Sequence, residues 1–297
     1  LNSPKVSVLT PVYNGADFLA TALQSTLDQS FQDFEVMVVN DGSTDNSEQI
    51  AQSFSAKSPE QIKVFTQVNG GLCAARNRGI AEARGEYLAL LDADDAWHRD
   101  HLARCVEVLD KHPEIGLVHA NIRRVDTQGN EVSVPLRHWR AHEAQPWRAL
   151  FLRDEHVSCP TAVFRTSLVQ QLGNFDMYFN KLGCEDRDMW LRIASVAGVH
   201  YLDDIQADYR LHNSNMSKAS AKMLEARLRL IKKHGATPAG SALQSHAMSA
   251  LHADMGDERR AAGQFNEALS NYWGALKHRP VNIRALKGIV NALIRRA

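Results

Sequence analysis

The sequence predicts an α/β fold with a mostly parallel central sheet flanked by helices, followed by an all-α appendage. Three observations carry that prediction. Apolar runs of strand length alternate with stretches of helical periodicity from Lys5 to Trp97. Each run ends in a polar loop, which places those loops together on the carboxyl rim of the sheet. After Ser217 the texture changes to Ala-rich helices. A chain of 297 residues accommodates one large domain or two ordinary ones. The change of texture divides it into residues 1–218 and 219–297.

Lys5 to Thr10 forms the first strand and ends at Pro11-Val12-Tyr13-Asn14-Gly15. Phe18, Leu19, Ala22, Leu23, Thr26 and Leu27 recur at helical spacing, predicting a helix over Asp17–Gln29. Phe34 to Val39 is a second strand. The polar run Asn40 to Asp45 follows, where Asp45 or Ser43 can cap a helix reaching Phe54. A short third strand, Ile62 to Thr66, leads through Asn69-Gly70-Gly71 to a helix over Leu72–Ala83 carrying Arg76, Asn77 and Arg78. The fourth strand, Tyr87 to Leu91, stops at Asp92-Ala93-Asp94-Asp95. Beyond it the pattern gives a helix over Arg99–Lys111, a strand over Ile115–Ala120, and a hairpin turning at Asp126 to Asn130 between Ile122–Val125 and Glu131–Val134. Pro135 to Pro146, with His138, Trp139 and His142, has no period and the length of a functional loop. Val157 to Phe164 suits a strand with a proline at its bend, Ser167 to Leu172 a short helix, and Glu185 the start of another. The tail gives helices over Ala219–His234, Ser241–Ala262, Phe265–His278 and Asn282–Arg296. Within it Gly256, Gly263, Phe265, Ala268, Tyr272, Ala275 and Pro280 resemble one tetratricopeptide repeat over Ser249–Asn282.

Composition narrows the function classes. Hydrophobic content of 44% and charged content of 23% are those of an ordinary soluble globular protein. No apolar run reaches the roughly 18 residues that span a bilayer, and Leu1 to Lys5 carries no signal-peptide pattern. Cys73, Cys105, Cys159 and Cys184 are too scattered for a zinc site or disulfide frame, which fits reduced thiols in the cytoplasm. The net charge of zero hides an asymmetry: Lys222 to Ala297 holds 13 basic and 5 acidic residues, a balance of +8, so the remainder stands at −8. That basic tail suits an anionic surface or is simply a solvated face.

Three carboxylates within four residues at a strand end, Asp92, Asp94 and Asp95, repel one another unless a cation joins them. The bland alternative is an acidic loop capping the helix near Arg99. The first strand–helix turn has a single glycine, Gly15, where a dinucleotide-binding Rossmann unit needs G-x-G-x-x-G, and no Walker lysine motif occurs. Phosphate recognition then falls to a metal at the D-x-D cluster. Glu185, Asp186 and Asp188 sit in the first turn of a helix, where the dipole favours acids whether or not they are catalytic. His212 by itself reads as a structural residue more readily than as a ligand.

The motifs P-V-Y-N-G, N-D-G-S-T-D, G-L-C-A-A-R-N-R-G, D-A-D-D, G-C-E-D-R-D-M-W-L-R and Y-R-L-H-N-S-N-M-S occur in an order and spacing similar to those of the family 2 nucleotide-sugar glycosyltransferases of the GT-A fold. The resemblance covers Lys5 to Ser217. It implies a Rossmann-like sheet and transfer of a sugar, with inversion, from a nucleoside-diphosphate sugar to an acceptor hydroxyl. The expected setting is surface polysaccharide or glycoconjugate synthesis. On the donor it places Pro11 and Tyr13, with Tyr13 stacking on the base. Asp41 would bond the base or ribose, Arg76 the base or diphosphate, and Asp92 the ribose or sugar. It makes Asp94 and His212 ligands of Mn2+ or Mg2+ and Asp186 the general base with Glu185 as competitor, which leaves Asp95 to the loop and the helix cap. Asn40 departs from the family, which often has a second aspartate there. The implied partners are a UDP-sugar first among donors and a glycan or lipid-linked acceptor, with no nucleic acid. The C-terminal helices are left to packing on the catalytic body, to a peripheral contact with the inner face of the membrane, or to a homodimer. The competing classes are a non-catalytic glycan- or nucleotide-binding protein and a nucleotidyltransferase; the presence of Asp94 and Asp186 disfavours the first, the E-D and Y-R-x-H segments the second.

Overall fold

The computed structural model describes residues 3–135, 139, 144–153, 155–213, 215 and 220–296. His138 and His142 of the irregular stretch, and Ser214, Met216 and Ser217 of the last motif, lie outside the described residues. Two compact units are formed, one by residues 1–150 with 155–218, the other by residues 151–154 with 219–297.

The first unit opens with β1 (Val6–Val12), α1 (Ala16–Leu27), β2 (Phe34–Asn40), α2 (Ser47–Lys57), β3 (Ile62–Thr66), α3 (Leu72–Glu82) and β4 (Tyr87–Leu90). These strands lie in the order β3-β2-β1-β4, parallel throughout. Every residue of β1 and β2 is buried, because helices cover both faces; that is why the strands are continuous apolar runs. Pro11 is tolerated inside β1 because β4 pairs only as far as Leu9, so no partner on that side needs the missing N–H.

Beyond β4 come β5 (Ala96–Trp97), α4 (His101–Lys111), β6 (Ile115–Val125), β7 (Glu131–Ser133), α5 (Pro146–Leu152), β8 (Val163–Arg165), α6 (Thr166–Leu172), α7 (Glu185–Ala194) and β9 (Gly198–Arg210). The sheet continues β4-β8-β6-β9-β5 with antiparallel pairs at β8 and β5, and β7 is attached to β6. Some of this differs from the sequence pattern. The two segments expected at Ile115–Ala120 and Ile122–Val125 are one strand, irregular in register around Asn121, because β9 runs alongside as a parallel partner for its whole length. Of the expected Val157–Phe164 strand only Val163 and Phe164 pair in the sheet, within β8; Pro160, lacking a donor, sits in a 3-10 turn over Cys159–Thr161.

The second unit contains α8 (Ser220–Gly235), α9 (Pro238–Ser241), α10 (Gln244–Ala261), α11 (Phe265–His278) and α12 (Ile283–Arg296). Its core is Ala253, Ala268, Tyr272, Ala275, Ala285, Ile289 and Ala292. Small residues at these helical spacings let three helices close around one tyrosine, whose hydroxyl donates to Asp257 at 2.6 Å. Among the described residues no helix is long and apolar enough to cross a membrane.

Candidate active site

The loops after β1 and β2 are bolted to each other. Asn14 N–H donates to Ser43 Oγ (3.0 Å), Gly15 N–H to Ser47 Oγ (2.9 Å) and Ala16 N–H to Asp45 Oδ2 (3.0 Å), while Thr44 N–H returns a bond to Asn14 Oδ1 (2.7 Å). Asp45 also accepts from Ser47 N–H (2.9 Å), so it caps α2 from one place before Asn46, the formal cap residue, which makes no side-chain bond. Between these anchors Tyr13 stands 54% exposed, its ring free of the core.

Asp41, at the end of β2, is buried and accepts three bonds: Gly70 N–H and Gln67 Nε2 at 2.8 Å on Oδ1, Gly71 N–H at 2.8 Å on Oδ2. The carboxylate thereby shapes the loop entering α3. Gly71 is required there twice over: its φ is +88°, and a Cβ would come within 2.5 Å of Asn180 Oδ1. Asn40 accepts from Ser43 N–H (3.0 Å), fixing the β2 turn.

The D-x-D stretch meets the end of β9. Asp94 Oδ2 lies 2.8 Å from His212 Nε2, across 118 residues of sequence. Asp95 brings them together: its buried Oδ1 accepts from Arg210 N–H at 2.9 Å, and Arg210 Nε donates to the Asp94 carbonyl at 3.1 Å. The expectation of a helix-cap role for Asp95 is corrected here. The strand β5 intervenes, α4 starts only at His101 with Asp100 at its cap position, and Asp95 is spent on β9. Asn215 then fixes the turn, accepting from His212 N–H (2.6 Å) and donating to the Arg210 carbonyl (3.0 Å). Phe18 of α1 backs the pair, its ring 5.3 Å from the His212 ring and under the Arg210 guanidinium at 4.9 Å. Neither Asn215 nor Phe18 was singled out from sequence for this place; the Y-R-L-H-N-S-N motif contained the first, and nothing local marked the second.

Burial and the charge of Asp92 push the Asp94 carboxyl above its usual range, against the His212 hydrogen bond. Among the described residues no group of three His, Cys, Asp or Glu side chains gathers to hold a metal. Asp94 and His212 still offer one oxygen and one imidazole nitrogen. That pair fits Mn2+ or Mg2+, which take the rest of their shell from water and phosphate oxygens, and a cation there would relieve the carboxylate repulsion.

Across the site, Arg76 of α3 is 1% exposed. Its Nη1 donates to Glu185 Oε1 at 2.8 Å and its Nη2 to Asp92 Oδ1 at 2.9 Å. Nη2 also lies 3.1 Å from Cys159 Sγ, whose thiol is held far above its ordinary range by burial and so meets the cation as a neutral acceptor. Glu185 and Asp186 begin α7 behind Cys184, which takes a left-handed conformation at φ 65°. Burial pushes Glu185 up to about 7 despite Arg76, and raises Asp186 as well. Asp186 is half-buried and Glu185 fully so. Thus the structure brings Asp92, Arg76, Glu185 and the start of α7 into one cluster and Asp94 with His212 into another. Pro11, Tyr13 and Asp41 lie at the ends of the neighbouring strands.

A parallel half-sheet whose carboxyl edge gathers such loops, joined to antiparallel strands beyond, is the architecture of the nucleotide-sugar glycosyltransferases of GT-A type. Residues 7–173 match the model of Glycosyl transferase family 2, and the chain belongs to that family. An uncharacterized glycosyltransferase of Nostoc sp. is 32% identical over 232 residues, 73% of this chain and 68% of that protein. Residues 1–349 of S. aureus TarS, solved in complex with UDP-GlcNAc, share the fold with a TM-score of 0.71 at 20% identity, covering 98% of this chain and 89% of that one. The mannosyltransferase PcManGT from Pyrobaculum calidifontis, in complex with GDP-Man and Mn2+, does so with a TM-score of 0.64 at 20% identity, covering 99% and 87%.

Proposed function

We propose that this glycosyltransferase is inverting and metal-dependent. It moves a sugar from a nucleoside-diphosphate sugar, a UDP-sugar first, to an acceptor hydroxyl on a glycan or lipid-linked acceptor in surface polysaccharide or glycoconjugate synthesis. The observation that carries this reading is the 2.8 Å approach of His212 to Asp94. Asp94 and His212 would hold the Mn2+ or Mg2+, and a cation bound there supplies positive charge against the diphosphate that departs. Tyr13, Pro11, Asp41 and Asp92 line the donor side at the strand ends. Asp186 takes the proton of the attacking hydroxyl. Glu185 is the poorer candidate, because its carboxylate is buried and held by Arg76. The GDP-Man and Mn2+ bound by the mannosyltransferase and the UDP-GlcNAc bound by TarS support the same chemistry and leave the donor base open.

Residues 219–297 act as a separate helical domain of tetratricopeptide-like character that meets an anionic membrane surface, placing the enzyme peripherally at the cytoplasmic face. The test of the catalytic reading is a thermal-shift and turnover screen of UDP- and GDP-sugars with Mn2+, run on the wild-type chain and on Asp186→Asn. The wild type is expected to bind and turn over one donor. The variant should keep metal-dependent nucleotide binding and lose transfer by about 10²–10⁴-fold, the usual worth of a general base. Full turnover by Asp186→Asn sinks the assignment of the base, and a wild type that binds no nucleotide sugar sinks the reading.

A further inference from the structure

An arginine that clasps a diphosphate presents its fork to the pocket; Arg76 presents it to the protein. Each of its Nη atoms is taken by a carboxylate from a different element, Asp92 after β4 and Glu185 at the start of α7. The planar fork fixes the two carboxylates relative to each other, which the point charge of a lysine cannot do. A third element, the turn over Cys159–Thr161, touches the same Nη2 through Cys159 Sγ. A fourth lies under the guanidinium plane, where the Phe175 ring centre is 5.2 Å from Cζ. The neighbouring Asn77 clamps that fourth element by its backbone, donating from Nδ2 to the Phe175 carbonyl (2.8 Å) and accepting from the Phe175 N–H (2.9 Å). The buried guanidinium is held by ion-pair contacts to the carboxyl groups of Asp92 and Glu185.

We propose that Arg76 is a positioning residue and not a ligand of the donor: through Asp92 and Glu185 it fixes the donor-side carboxylate against the helix that carries Asp186. The inference rests on the catalytic reading above and adds to it the device that sets the distance between the two sides of the reaction. Misplacement of a reacting group by about 1 Å costs on the order of 10²-fold in rate without weakening binding to the same degree. The device therefore has a kinetic signature of its own.

The experiment uses the full chain, with UDP and GDP as binding probes and the UDP- or GDP-sugar that the wild type turns over as substrate. Arg76→Lys and Arg76→Gln are compared with the wild type for kcat, donor KM and the affinity for the nucleoside diphosphate with Mn2+. The proposal expects kcat to fall about 10- to 100-fold with donor KM and diphosphate affinity within about twofold. If single variants leave Asp92 and Glu185 uncompensated and do not fold, Arg76→Gln combined with Glu185→Gln removes one charge of each sign. It is read by the same split. A tenfold or greater loss of diphosphate affinity, whatever happens to kcat, overturns the proposal, as does an unchanged kcat. A wild type that neither binds nor turns over a nucleotide sugar overturns the catalytic reading and this proposal together. Variants with the opposite split overturn this proposal alone.

Discussion

Asp94 shows how little a residue's own sequence says and how much its neighbours add. Three aspartates in four positions are compatible with a helix cap; what separates them is what each touches. Asp92 is tied to Arg76, Asp95 is spent on the Arg210 backbone, and Asp94 alone faces His212. Asp94→Ala is therefore expected to abolish the response of turnover to added Mn2+ or Mg2+, while leaving the fold intact because the Asp95–Arg210 tie survives. A titration of activity against metal measures it, and a curve unchanged from wild type removes the metal site from the reading. The pairing of Asp94 with His212 was legible in the motifs. The work of Asp95 was not, since it depends on where β9 runs, and a strand partner more than a hundred residues away leaves no local trace. The same holds for Arg76: the motif marked it, but only the positions of β4 and α7 show that both Nη atoms are occupied.

At the scale of elements, periodicity was a good guide wherever a segment is buried on a regular face, as in β1, β2 and α1. It failed where an element owes its shape to a neighbour. The strand β6 is long because β9 supports it, and the Pro160 turn breaks a segment whose composition is strand-like. In the second unit, the spacing of small residues carried real information. Gly256 of α10 and Gly288 of α12 face the Tyr272 ring, where an added Cβ would come within 2.5 and 2.4 Å. The ring cannot swing aside freely, because its hydroxyl is held by Asp257 at 2.6 Å and by Arg260 Nε at 3.2 Å. Alanine gains about 1 kcal/mol of helix propensity over glycine, but overpacking here costs about 1–3 kcal/mol, and the clash is expected to win. Gly288→Ala should lower the urea midpoint of the helical unit and leave UDP binding with Mn2+ unaltered. A variant as stable as wild type would show that α12 is not closed on Tyr272.

For the whole molecule, the charge asymmetry and one helix face point the same way. The acidic side chains of the helical unit are largely used internally: Asp254 pairs with Arg153, Arg227 and Arg284, and Asp257 with Arg260 and Arg284. The surplus of 13 basic over 5 acidic residues from Lys222 onward thus remains a net positive surface. On α12, Ala285, Ile289 and Ala292 face the core, yet Ile283, Leu286, Val290, Leu293 and Ile294 are all exposed. A helix apolar on a second face, with basic and no acidic residues in its sequence, suits the boundary of an anionic bilayer. Two copies packed through that face would bring like charges together, which disfavours the homodimer. The full chain is expected to co-sediment with vesicles containing anionic lipid at about 0.05 M salt and to be largely released at about 0.5 M, where the Debye length has shrunk to a few ångströms. Leu286→Asp with Val290→Asp should cut vesicle binding at least tenfold, each substitution removing on the order of 1 kcal/mol of apolar burial and adding a repelled charge. Turnover of a water-soluble acceptor should stay at the wild-type level. Absence of binding at low salt refutes the membrane contact. If the same double substitution instead converts a dimer to a monomer in sedimentation, the face belongs to a second copy, and the basic surplus is only its solvated rim.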